Sequence, residues 1–170
     1  MVRHPVPDEH LKCIGDITVS FALLESSVQS LVWSMLNERQ RIGQIVTAEL
    51  SFRNLRSLLI SLYIERHGKQ DKDFGKLKEL VERTASAEDK RNQITHSIWA
   101  SCKELNSITR IKTTAKEKNG FKFQFEDVKL NQLNEIASDI KILTSEIRCF
   151  WIYLMENGKA INDHTINKLP

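Results

Sequence analysis

At 170 residues the chain has the length of one domain, enough to bury a core of its own. Its composition is that of a soluble globular protein, and with only 6 Gly and 3 Pro it favours long helices over a many-turned sheet protein. The formal charge of +3 permits a nucleic-acid partner without requiring one, since solvated lysines give the same count. Cys13, Cys102 and Cys149 are widely spaced and have no Cys/His pairing of metal type, which argues against a zinc site and a disulfide framework and points to a reducing compartment. Cys13 and Cys149 read as small buried hydrophobes. The N-terminus lacks the apolar run of a signal peptide, and no stretch of eighteen uninterrupted apolar residues could span a membrane, so the cytoplasm is the expected location.

Pro7-Asp8 is a helix-start signal, and Ile14, Ile17, Phe21, Leu24, Val28, Leu31 and Met35 follow at spacings of three and four, the seam of a packed helix. A short helix is expected over 42–46. Another begins at Ser51, carries Leu55, Leu58, Leu59, Leu62 and Tyr63 inward, and closes at Gly68. A third starts near Asp71 with Phe74, Leu77, Leu80 and Val81 inward. Thr84 or Ser86 then reads as the cap of a separate helix over 87–101, with Ile94 and Ile98 inward. Phe121, Phe123 and Phe125 alternate with Lys122 and Gln124 after the turn signal Asn119-Gly120, and Thr109 to Thr114 supplies a β-branched partner strand, so 107–127 reads as a two-stranded hairpin. The last helix runs from Leu130 to Glu156 on Leu133, Ile136, Ile140, Leu143, Ile147, Phe150 and Leu154, and Asn157-Gly158 ends it.

The expected fold is therefore all-α: a four- to five-helix bundle with a small β-hairpin insertion before the last helix, its first and last helices neighbours. It forms one domain over 1–170, with a core at about 8–157 and a loose tail over 158–170.

No glycine-rich phosphate loop, GxSxG elbow or HExxH is present. Glu88-Asp89, at a helix start, complements the helix dipole. His4, His10, His67 and His164 fall at termini, a helix end or the tail, where exposure is expected. His96 remains, inside Arg91-Asn92-Gln93-Ile94-Thr95-His96-Ser97-Ile98-Trp99. On a helix Asn92 and His96 share a face one turn apart, Asp89 lies nearly in line, and Arg91 is about 140° away with a side chain long enough to wrap back. Guanidinium binds phosphate bidentately, and imidazole can take a proton from a 2′-hydroxyl or give one to a leaving oxygen, so this grouping suits phosphodiester cleavage without a metal or other cofactor. The competing reading is a hydrogen-bonded network of these side chains with Glu25 or another acid of the first helix.

Arg91-Asn92-x-x-x-His96 resembles the Arg-x(4–6)-His signature of the HEPN superfamily, including the polar residue after the arginine. The setting, a late helix after the acidic turn 86–90, and the continuation His96-Ser97-Ile98-Trp99 are similar too, and the helix layout resembles that family over roughly 8–157; the hairpin departs from the minimal HEPN bundle. The resemblance implies a metal-independent endoribonuclease whose site forms between two copies of the chain in a homodimer. His96 would be the acid/base, Arg91 would hold the scissile phosphate, and Asn92 would orient the pair or contact the phosphate. The products would be a 2′,3′-cyclic phosphate and a 5′-hydroxyl. It further implies a toxin or defence effector, with an antitoxin or regulatory protein as a partner. The alternative is a non-catalytic HEPN-like helical dimer that binds nucleotide or a protein partner. Arg110, Lys112, Lys116, Lys118 and Lys122 in the hairpin could steer RNA toward the site, although a solvated hairpin whose phenylalanines pack on the bundle is the favoured expectation.

Overall fold

Apolar spacing of three and four dominates both ends of the chain, and both ends fold as long helices. A computed structural model describes residues 4–36, 40–116 and 120–161. In chain order the elements are α1 (Asp8–Leu36), α2 (Gln40–Thr47), α3 (Phe52–His67), α4 (Phe74–Thr95), β1 (Ile98–Ser101), β2 (Ser107–Lys116), β3 (Gly120–Lys129) and α5 (Leu130–Glu156). The protein is thus mostly helical, with one small antiparallel sheet, order β1-β2-β3, before the last helix. The expected hairpin gains a third strand. Asn119 of the turn signal lies outside the described residues.

Internal contacts group the chain into two compact units: 1–21 with 87–140, and 22–86 with 141–170. In the second unit the buried side chains are those the periodicity picks out, among them Leu24, Val28, Leu31 and Met35 of α1, Leu55, Leu59 and Tyr63 of α3, and Leu143, Ile147 and Leu154 of α5. Arg148 Nε donates to Ser27 Oγ (3.1 Å), and Ile161 N donates to Ser34 O (3.2 Å), so α5 and the residues after it ascend alongside α1 in the same direction. Ser51 caps α3 by accepting from Asn54 N at 3.2 Å, and Gly68 closes it with φ of 81°. Gly43 is required by packing: a Cβ there would lie 2.8 Å from Trp33 Cδ1. That close approach lets Trp33 Nε1 donate to Thr47 Oγ1 at 2.8 Å.

Of the expected loose tail over 158–170, Lys159 and Ala160 are held in place, and residues 162–170 lie outside the described residues. Lys159 Nζ bonds both carboxylate oxygens of Asp71 (2.7 and 2.5 Å) and Asp73 Oδ2 (2.6 Å), and Ala160 is buried. Tyr63, fully buried, donates its hydroxyl to Asp71 Oδ1 at 2.6 Å, and His67 Nε2 donates to the carbonyl of Lys159 at 3.0 Å. Burial first, then the bond to Asp71, push the Tyr63 phenol well above its ordinary pKa. Tyr63→Phe leaves the ring in place and removes a donor to a charged acceptor. It is expected to cost about 1.5–3 kcal/mol, read as a lower urea midpoint at unchanged m-value.

In the first unit the core is Val6, Ile17, Phe21, Ala87, Ile94, Ile108, Val128, Leu133, Ala137 and Ile140. His10 joins it rather than facing solvent: it is 2% exposed, and its Nε2 donates to the carbonyl of Asn106 at 3.2 Å. Asn106 holds a φ of 57°, a left-handed conformation its residue type tolerates. The same carbonyl receives Leu130 N at 3.0 Å, tying the sheet to the start of α5. Cys13 is half-buried, with Sγ 3.1 Å from Asn134 Oδ1, and Cys149 is exposed, so neither is a fully buried hydrophobe.

The largest departure concerns α4. The two expected helices, one starting near Asp71 and one over 87–101, form one helix that stops at Thr95. Thr84 does not cap a new helix; buried, it returns its hydroxyl to Val81 O at 2.7 Å and lets the helix continue. Glu88-Asp89 therefore sits mid-helix rather than at a helix start. The true end falls inside the Arg91–His96 segment, where the last carbonyls find other donors. Thr95 Oγ1 takes Arg91 O (3.0 Å), Ser97 Oγ takes Gln93 O, and Trp99 Nε1 takes Ile94 O (3.0 Å). His96 and Ser97 turn the chain directly into β1, and Ile98, expected inward, is 62% exposed.

α1 is, by length and mean hydropathy (1.2 over eighteen residues), able to cross a membrane, yet half of that window is buried in the fold, as in a core helix.

Candidate functional site

On α4, residues at i, i+3, i+4 and i+7 share a face. Asp89, Asn92, Gln93 and His96 have this spacing, and all four line one open cleft of about 460 Å³. The facing wall is the sheet: Ile98 of β1 and Arg110, Ile111, Lys112 and Thr113 of β2, with Ser97 between helix and strand. The pairing of β1 with β2 ends at Ile98↔Ile111, so the edge of β2 beyond Ile111 is left uncovered beside the helix end. The cleft occupies that gap.

His96 is exposed and Asn92 half-buried, one turn apart as their spacing requires. Arg91 is not among the residues lining the cleft. Its Cζ lies 4.3 Å from the centroid of the Phe21 ring on α1, a cation–π arrangement on a different face of the helix. The structure therefore brings Asn92 and His96 together, and within one chain it does not bring Arg91 to them. The guanidinium in the cleft belongs to Arg110. Its Nη1 donates to Gln93 Oε1 at 3.0 Å, its Nη2 pairs with Glu126, and its side chain is 13% exposed. Arg110 thus bridges α4 and the sheet.

Lys112 is exposed at the cleft wall, and Lys122 is exposed opposite Thr114 on β3. Strand alternation puts Arg110, Lys112 and Lys122 on one face of the hairpin and the phenylalanines on the other. Lys118 lies outside the described residues, as do the side chain of Lys116 and His164. The phenylalanines do not pack on the helices: Phe121, Phe123 and Phe125 are 63%, 55% and 68% exposed.

The motif pointed to Arg91, Asn92 and His96, and the hairpin cations to Arg110 and Lys112; of these the cleft holds all but Arg91. That Gln93 and Ser97 share the cleft was missed, although the polar stripe 89/92/93/96 carries a signal for its helical half. Among the described residues no group of three or more His, Cys, Asp or Glu side chains is placed to hold a metal ion. The cleft offers an imidazole, two amides, a carboxylate and two cations, a set that can bind a phosphate oxygen and move a proton.

Compared with known proteins, the chain matches no protein-family model, no curated protein and no solved structure.

Proposed function

We propose that this protein is a metal-independent endoribonuclease of HEPN type, a cytoplasmic homodimer acting as a toxin or defence effector and held in check by a protein partner. The observation that carries the reading is an exposed His96 beside Asn92 in an open cleft that also holds Arg110 and Lys112. In this reading His96 removes the proton of a 2′-hydroxyl. The 2′-oxygen attacks phosphorus, the bond to the 5′-oxygen breaks, and a proton returned to that oxygen leaves a 2′,3′-cyclic phosphate and a 5′-hydroxyl. Lys112 and Arg110 balance the phosphate charge, and the Asn92 amide hydrogen-bonds a phosphate oxygen. Arg91, stacked on Phe21, fixes the end of α4; it reaches a phosphate only where a second copy brings another strand past that face.

Purified protein is expected to cut single-stranded RNA in excess EDTA and leave cyclic phosphate ends, detected by their resistance to phosphatase until acid opens the ring. RNA left whole across varied sequences sinks the reading. The position of Arg91 favours a second one: a non-catalytic HEPN-like helical dimer whose cleft binds nucleotide or a protein partner. That reading predicts saturable binding without any cleavage.

A further inference from the structure

Phe121, Phe123 and Phe125 occupy alternate positions of β3 and so stand on one face of the sheet, about 6–7 Å apart along the strand. Each of the three residues is more than half exposed. Phe121 and Phe123 meet edge to face at 4.7 Å, and Phe123 and Phe125 lie at 27° to each other with centroids 6.3 Å apart. Across the strands Phe123 pairs with Thr113, Phe125 with Ile111, and Ile111 with Ile98, so an uncharged row runs from Phe125 to the exposed Ile98. The next residues of β3 on this face are Asp127, which accepts from the Thr109 hydroxyl at 2.7 Å, and Lys129.

Two kinds of occupant suit such a face, a second copy of the chain or the bases of a nucleic acid, and charge separates them. Residues 107–129 hold six Lys or Arg (110, 112, 116, 118, 122 and 129) against three Asp or Glu (117, 126 and 127). That net +3 equals the +3 of the whole chain, so the rest of the protein is formally neutral. Two hairpins face to face would bring like charges together, whereas a polyanion neutralises them. Aromatic rings on an open sheet, with cations behind, suit bases that are already unstacked. Ile98, Ile111 and Thr113 belong both to this face and to the wall of the His96 cleft, so one continuous surface joins them.

We propose that the phenylalanine face binds single-stranded RNA by base stacking and leads its backbone over the edge of β2 into the cleft. Only the destination of the strand rests on the nuclease reading; the stacking stands apart from it. The test is fluorescence anisotropy of a labelled twelve-nucleotide RNA with the His96→Ala protein in EDTA, where no cutting interferes. Phe123→Ala and Phe125→Ala are each expected to raise Kd about five- to hundredfold, while Phe123→Trp keeps the affinity. Exposed rings can be removed without unfolding the chain, which circular dichroism and melting check. The duplex of the same sequence, its bases already stacked, is expected to bind at least about tenfold more weakly.

Unchanged Kd in folded Phe→Ala variants overturns the proposal, and so does a duplex bound as tightly as the single strand. Light scattering supplies the other arm: variants that turn a dimer into a monomer with RNA affinity per chain intact assign the face to a second copy. Wild type that binds in this way and never cuts leaves the stacking site standing and sinks the nuclease. Wild type that cuts while ignoring the phenylalanines does the reverse.

Discussion

His96→Ala is expected to lower the rate of RNA cleavage by about a hundred- to ten-thousandfold, the range for losing a general acid or base, with the melting temperature unchanged. The second half follows from position. His96 lies past the last turn of α4, exposed, and its backbone N–H, donating to Asn92 O at 3.1 Å, ties it to the helix. Arg91→Ala is the informative contrast. Its guanidinium covers the Phe21 ring, so its loss costs stability, about 0.5–2 kcal/mol for a cation–π contact. Any fall in activity then arrives together with a lower melting temperature. Arg110→Ala removes the bridge to Gln93 and Glu126 and should weaken RNA binding more than turnover. If His96→Ala cuts RNA at the wild-type rate, the cleft is not the catalytic centre. If Arg91→Ala alone abolishes cutting in a fully stable protein, the phosphate is held by Arg91 and not by Arg110.

The second large effect concerns acid. Hydrogen bonds from Lys159, from the Tyr63 hydroxyl and from the backbone N–H of Asp73 hold the Asp71 carboxyl well below the usual carboxylate range. A group whose pKa is lower folded than unfolded contributes stability fully above its unfolded value. That contribution fades as pH falls below about 4 toward the folded value. Lys159 opposes its own burial, but the bonds to Asp71 and Asp73 outweigh that cost and raise its pKa, so it stays charged throughout this window. Lys159→Met leaves the two carboxylates facing each other at the start of α4 without their cation. The midpoint of acid unfolding, followed by far-ultraviolet dichroism, is expected to move up by about one pH unit. Urea unfolding at pH 7 should show the same variant destabilised, and the difference from wild type should shrink as pH falls through 4 toward 2. A difference that stays constant over that range would mean that Asp71 does not carry the acid sensitivity.

The long helices were legible because burial on one side imprints a period on the sequence. α5 runs from Leu130 to Glu156 as its seam requires, and the seam positions of α1 and α5 are buried apart from the half-buried Ile14 and Ile136. The junction inside α4 was misread because threonine and serine mark helix starts by the same hydroxyl chemistry with which Thr84 bonds back to Val81. β1 was invisible for another reason. Ile98 to Ser101 is short, continues an apolar helical spacing, and becomes a strand only through pairing with residues seven to thirteen positions ahead. For the site, spacing placed Asn92 and His96 on one face correctly and gave Arg91 its angle of about 140°, but Phe21 lies seventy residues upstream, where no local pattern records what it touches. The hairpin cations were visible as a cluster. That Arg110 and Lys112 would line the wall opposite His96 depended on the unseen strand.

The chain passes from α4 to β1 through just two residues, His96 and Ser97, and this brevity constrains which insertions it can accept. Side chains of a strand alternate in direction, so one extra residue after Ser97 would turn β1 over against β2. Ile98 would leave the rim of the cleft, and the register carrying Trp99 beside Arg110 would slip with it. The distance between the imidazole and the opposite wall is therefore set by a count of residues, an integer that side-chain substitution cannot tune.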